Sequence, residues 1–84
     1  MYYTYVLYSI QYQKIYVGYT SNLENRLSAH NDIRNTGWTS KYQPWVVLHR
    51  EVFESKQEAM KREKQLKSSR GRAFIHEELL GSGI

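Results

Sequence analysis

Residues 16–31 read YVGYTSNLENRLSAHN, and the way this stretch divides decides the fold. Its opening residues are aromatic and β-branched, which favours an extended chain. Gly18 ends that pattern, since a lone glycine in a strand marks a bend or the close approach of another group. Ser21 and Glu24 then make a Ser-x-x-Glu capping box, which satisfies free amides at a helix start. From Leu23 to Asn31 each residue advances by about 100° around the axis. Leu23 and Leu27 therefore form an apolar stripe, His30 falls between them, and Arg26 lies one turn before His30.

Working outward, residues 2–8 (YYTYVLY) and 14–19 (KIYVGY) read as strands joined by the polar turn 9–13. Tyr3, Tyr5 and Leu7 face one side of the first strand, and Tyr2, Thr4, Val6 and Tyr8 the other. A hairpin centred on that turn sets Tyr16 across from Leu7 and makes Tyr5 its diagonal neighbour on the same face. A slip of one residue would separate the two tyrosines.

Downstream, residues 32–44 are polar and without period, which predicts a loop with room for a short helical turn. Trp38 and Tyr42 stand in it without an obvious core partner. Residues 45–53 (WVVLHREVF) follow Pro44 as a third strand. Ser55-x-x-Glu58 is a second capping box, opening a helix that runs to Ser69 before Gly71. A last helix is expected over 72–80, and a frayed tail over 81–84. The order β-β-α-β-α-α, in one domain over residues 1–80, predicts an α+β fold: a three-stranded sheet flanked by helices. That sheet is antiparallel or mixed, because the crossover before the third strand leaves its direction open.

Composition narrows the function. Among 84 residues there is no cysteine, so disulfides and thiolate zinc sites are excluded. No apolar run approaches the roughly 20 residues of a membrane span, and no signal-peptide pattern is present. A soluble, cytoplasmic protein without a membrane partner is expected. The formal charge is +4, with eight tyrosines and two tryptophans. Basic charge beside aromatic rings suits a polyanion with stackable bases, although such a charge also serves simply to keep a small domain in solution. There is no glycine-rich phosphate loop, nucleophile elbow or HExxH zinc motif.

Glu63 is the sharpest anomaly. On the second long helix it shares the apolar side with Ala59 and Leu66, where a carboxylate must be paired, hydrogen-bonded or metal-bound. A salt bridge to Arg26 or a side chain reaching solvent at the helix edge accounts for it, as does a metal or catalytic role. With eight tyrosines in the chain, Tyr5 and Tyr16 read first as core aromatics, and alternatively as hydroxyls that orient water or act as a general base. Arg26 is either a solvated helix residue or a planar fork for phosphate oxygens. His30 is a satisfied core edge, a base or a ligand; His49 and His76 have no companions at ligand spacing. Lys67, Arg70 and Arg72, in the basic run from Lys56 to Arg72, are either a solvated face or a track for a phosphate backbone.

Taken in order, these motifs resemble the GIY-YIG nuclease superfamily, in its small stand-alone, single-domain (URI-type) branch, over about residues 3–72. Thr4-Tyr5-Val6-Leu7 stands for the GIY strand and Tyr16-Val17-Gly18 for the YIG element. Arg26 and His30 match the family helix, and Pro44-Trp45 and Arg62-Glu63-Lys64-Gln65-Leu66-Lys67 its later elements. The first motif lacks its usual glycine, and no asparagine follows Asn35, where many members carry one beyond the glutamate. The resemblance implies a metal-dependent endonuclease that hydrolyses DNA in repair or recombination, with structure-selective cutting as one form of that activity, leaving a 5′-phosphate and a 3′-hydroxyl. Glu63 would hold one Mg²⁺ or Mn²⁺, Tyr16 with Tyr5 would position or deprotonate water, and Arg26 would stabilise transition-state charge. His30 would assist proton transfer, while Lys41, Trp38, Lys67, Arg70 and Arg72 would touch the nucleic acid. A non-catalytic nucleic-acid-binding module and a nuclease subunit that needs a protein partner are the alternatives.

Overall fold

The computed structural model describes residues 1–81; residues 82–84, most of the expected tail, lie outside the described residues. Strands β1 (Tyr2–Ser9) and β2 (Lys14–Thr20) form the hairpin, followed by α1 (Leu23–Asn31) and a 3₁₀ helix (Trp38–Tyr42). Strand β3 (Val46–Phe53), α2 (Lys56–Lys67), α3 (Ser69–Phe74) and a π-helical turn (Ile75–Leu79) complete the chain.

The hairpin register is the expected one: Leu7 pairs with Tyr16 and Tyr5 with Gly18. At the turn Gln13 takes a left-handed φ of 54°, and its N–H donates to the Ser9 carbonyl at 2.7 Å. Strand order is β2-β1-β3, and β3 runs antiparallel to β1. The open question of direction is thus answered by an all-antiparallel sheet with β2 and β3 as its edges. A bulge beside Val6 and Leu7 shifts the β3 register from His49 to Val47.

Each face of the sheet has its own core. One face packs Tyr5, Leu7, Leu23 and Trp45, with Tyr3, Tyr16, Leu27 and Tyr42 around them. The other packs Val6, Val17, Leu66 and Ile75, with Ile15, Leu48 and Phe74 among their neighbours. The Thr4 hydroxyl, on this second face, donates to the Ala59 carbonyl at 2.8 Å and ties α2 to the central strand. On the same side Glu51 accepts from His49 (2.8 Å) and from Arg62 (3.0 Å), giving His49 a partner that its spacing did not reveal.

The loop is held to α1 by side-chain amides. Asn31 donates to the Trp45 carbonyl (3.0 Å) and accepts the Trp45 N–H (2.6 Å), while Gln43 donates to the carbonyls of His30 and Asp32 (2.8 Å each). Trp45, nearly fully buried, donates its indole N–H to the Thr39 carbonyl at 2.9 Å.

Each strand differs from its expected range by one residue at one end, and the larger differences lie at helix boundaries. Helix α1 is capped by Asn22, whose side chain accepts from the Asn25 N–H at 3.0 Å, and not by Ser21. Asparagine and serine cap about equally well, and the Thr20 hydroxyl holds the Asn22 N–H at 3.1 Å, which selects the later start. The second long helix stops at Lys67 because Ser68 caps a new one, α3, which begins at Ser69 and not at Arg72. A side chain at Gly71 would run into the backbone of Gln65 and Leu66, so the glycine allows α3 to cross the end of α2 closely.

Candidate active site

Tyr5 stands on the central strand and is nearly fully buried. Its ring lies over Gly18 on β2: a Cβ there would sit 2.6 Å from the Tyr5 hydroxyl oxygen. The close approach read from the lone glycine is therefore that of the Tyr5 phenol. Tyr16 lies beside it, with ring centroids 6.3 Å apart and planes 29° from parallel. The hairpin register makes this contact, as the diagonal pairing requires.

Helix α1 adds His30 and Arg26. The His30 Nε2 is 3.4 Å from the Tyr5 hydroxyl, and its ring centroid is 4.6 Å from that of Tyr16. On its other side Nδ1 is 3.0 Å from the Thr39 hydroxyl, which accepts from the Asn35 amide at 2.8 Å. A connected chain thus runs from Tyr5 through His30 and Thr39 to Asn35. Burial pushes the His30 pKa below its ordinary value, and the nearby Arg26 charge adds to this, so the ring favours its neutral form. Burial first, and the neighbouring Tyr16 second, push the Tyr5 phenol far up; Arg26 opposes this and Glu63 adds to it.

Glu63 comes from α2, on the opposite face of the sheet from α1. It nonetheless lines the same cleft, because β2 is an edge strand and α2 packs against it. The cleft, of about 350 Å³, is walled by Tyr5, Tyr16, Gly18, Arg26, Lys56 and Glu63, with Tyr2, Tyr19, Thr20 and Ser21 at its margin. Side chains from both faces of the hairpin take part, so the cleft straddles the sheet edge. The Glu63 side chain is 18% exposed and meets Lys67 at 3.4 Å. The salt bridge weighed between Glu63 and Arg26 is absent; Lys67, one turn on, is the carboxylate's partner. Among the described residues Arg26 makes no ion pair, and it is exposed at the mouth of the cleft.

The expected nucleic-acid contacts divide. Trp38, Lys67 and Arg72 line a second cleft, about 250 Å³, which also includes Tyr16. Arg70 lies elsewhere, in a hollow with Arg62, Gln65 and Phe74. Lys41 is exposed on the 3₁₀ helix and lines neither cleft. Thr39 and Asn35 were not singled out from sequence, and Lys56 only as the start of the basic run. For Lys56 a signal exists: it is seven residues before Glu63, two helical turns, and so shares its face. Thr39 and Asn35 carry none, because they reach His30 only through the loop fold.

No group of three or more His, Cys, Asp or Glu side chains converges among the described residues. The donor set is one carboxylate beside phenolic hydroxyls, all hard oxygens. Such a set fits a cation that keeps most of its waters and completes its shell with substrate phosphates, as Mg²⁺ does. Arg26 and Lys56 outnumber the single carboxylate, so the cleft suits an anion.

Comparison with known proteins covers almost all of this framework. A model of the GIY-YIG catalytic domain matches residues 1–74, from β1 through α3. A UPF0213 protein of Staphylococcus haemolyticus is 41% identical over 54 residues, 64% of this chain; the chain spans 66% of that relative, just under two thirds. Another, from Bacillus licheniformis, is 37% identical over 78 residues, covering 89% of this chain and 79% of the relative. The solution NMR structure of the UPF0213 protein BH0048 from Bacillus halodurans superposes with a TM-score of 0.52 at 28% identity, covering 90% of this chain and 83% of that one. Among the described residues no helix is long and apolar enough to cross a membrane.

Proposed function

This chain belongs to the GIY-YIG catalytic domain family, and on that premise we propose that it is a divalent-metal-dependent nuclease hydrolysing phosphodiester bonds in DNA. One observation carries the reading: Tyr5, Tyr16, Arg26 and Glu63, from four different elements, line one cleft. A binding surface alone has no need of a carboxylate, which repels the phosphate it would bind.

Glu63 would hold the cation, Mg²⁺ or Mn²⁺, which when bound polarises the scissile phosphate and stabilises the leaving oxygen. The other residues act directly on substrate and water. Arg26, at the mouth, offers its fork to two phosphate oxygens and stabilises the charge that grows in the transition state. Burial favours the protonated Tyr5 hydroxyl, which would orient the water by hydrogen bonding, while the cation's charge would oppose that burial and favour loss of the proton. Tyr16 completes the water's position from the adjacent strand. His30, held neutral, has a nitrogen 3.4 Å from the Tyr5 oxygen and can take up the proton passed along that contact. Thr39 fixes the ring from behind.

The test is a panel of supercoiled, single-stranded and branched DNA, each with and without Mg²⁺ or Mn²⁺, comparing wild type with Glu63→Ala. Metal-dependent cleavage by wild type alone supports the reading. Equal product from both proteins on every substrate returns the chain to a binding role. Cleavage by wild type only after a cell extract is added would instead favour a partner-dependent nuclease subunit.

A further inference from the structure

We propose that Trp38 and the cleft beneath it form a stacking site for one unpaired nucleobase, next to the scissile phosphate. The enzyme's substrate is then DNA with a single-stranded nucleotide at the cut: a flap, a loop or a free strand. This rests on the nuclease reading above for its position relative to the cut, but not for the binding itself.

The two tryptophans differ sharply. Trp45 is 2% exposed and its indole N–H is bonded to Thr39; Trp38 is 49% exposed and its N–H has no protein partner among the described residues. Trp38 is not loose, however. Its ring packs against Tyr42 at 4.8 Å, Trp45 at 6.0 Å and Tyr16 at 6.5 Å between centroids. A large aromatic held firmly from one side and left open on the other is a platform, and base stacking on such a ring is tolerant of sequence.

The cleft beside it has the matching chemistry. Ile15, Val17 and Leu66 supply apolar walls, while Lys67 and Arg72 supply cations. At about 250 Å³ it lies below the roughly 300–1,000 Å³ of pockets for drug-sized ligands, a size that suits a single planar ring with its phosphate on the cations. Continuity with the first cleft fixes its place along the strand. Tyr16 lines both clefts, and Lys67 lines this one while bridging to Glu63 in the other. A phosphate at Glu63 and Arg26 therefore puts the neighbouring nucleotide at Trp38. Within a duplex both faces of a base are already stacked, so only an unpaired or extruded base can use the platform.

Binding is measured first, in EDTA, from the fluorescence anisotropy of end-labelled oligothymidylate and of a fully paired duplex without a loop, titrated with wild type, Trp38→Leu and Trp38→Phe, and in wild type also from quenching of tryptophan emission by the same DNA without label. Because Trp45 is buried, quenching reports Trp38. Oligothymidylate is expected to quench wild type; Trp38→Leu should lose about tenfold or more in affinity for it, and Trp38→Phe little. Affinity for the duplex should be alike in all three proteins. Then, in Mg²⁺ or Mn²⁺, single abasic positions are scanned around the cut. One position should slow wild type as much as Trp38→Leu does, and should not slow Trp38→Leu further. Absence of quenching in wild type, or equal loss of affinity for oligothymidylate and for the duplex in Trp38→Leu, overturns the proposal. Specific quenching by a protein that cuts nothing sinks the nuclease reading while the base site stands. Cutting with no effect of Trp38→Leu on strand preference sinks the base site alone.

Discussion

The two faces of this sheet are built on different terms. Beneath α2 and α3 the contacts are mainly aliphatic, with Val6, Val17, Leu66 and Ile75 at the centre and Thr4 and the Glu51–His49–Arg62 cluster as polar ties. Beneath α1 and the loop they are aromatic and hydroxylated: Tyr5, Trp45 and His30 bury hydrogen-bonding atoms together with their rings, beside the buried Thr39 hydroxyl and the half-buried Tyr16. The first face supplies stability by excluding water from carbon. The second must also satisfy each buried polar atom, which fixes side-chain directions as hydrocarbon packing does not. Glu63 links the two. Its helix is anchored by the dry face, while its carboxylate lines the cleft of the polar one.

That division predicts effects that separate by face. The largest concerns Glu63→Gln, which should lower cleavage by about 10³-fold or more while thermal unfolding moves by no more than about 2 °C. Single-turnover cleavage beside a melting curve checks both, and a rate near wild type would break the comparison at its linking residue. On the dry face, Ile75→Ala should cost about 2–5 kcal/mol by urea unfolding, and Ile75→Val about 0.5–1.5. Cleavage per folded molecule should be unchanged in either variant; a loss of rate in folded Ile75→Val would show that the faces are not separable.

Gly18→Ala should fall between these. Its Cβ would lie 2.6 Å from the Tyr5 oxygen and 2.8 Å from Cζ, so the phenol must shift. A stability loss of about 1–3 kcal/mol is expected, together with slower cleavage. In a Tyr5→Leu background that loss should shrink, because the obstructing ring is gone; a fully additive double mutant would place the clash elsewhere.

The smallest effect is with pH. Since the folded-state pKa of His30 lies below its unfolded value, the unfolded chain binds the proton more readily. The contribution of His30 to stability is then whole above about pH 6.5, its unfolded value, and is lost as pH falls from there towards the folded value, at no more than about 1.4 kcal/mol per pH unit. Melting temperatures between pH 5 and 8 should show this slope in wild type and a shallower one in His30→Gln. Equal slopes would remove His30 from the buried network.

Much of this was legible in the sequence because it depends on local rules. Alternation along residues 2–8 and 14–19 gives the hairpin and its register, and with it the Tyr5–Tyr16 contact. The helical period sets His30 and Arg26 on α1 as expected. The Ser55 cap is also as read, with its hydroxyl accepting from the Glu58 N–H at 3.2 Å. Where two residues compete for one local role, the reading erred by a residue or more. Asn22 replaced Ser21 as the cap, and Ser68 divided what read as one continuous helix to Ser69.

What the sequence determined by itself, then, is the set of elements and the face on which each strand or helix residue stands, since periodicity and caps act within a few residues. Tertiary structure alone decided three things: that β3 is antiparallel, that Thr39 and Asn35 support His30, and that Glu63 lines one cleft with Tyr5 at the open edge of β2. Each depends on how distant elements close over the sheet. That closure is set by packing, by the bare backbone at Gly18 and Gly71, and by which strand is left at the edge. None of these has a period to read.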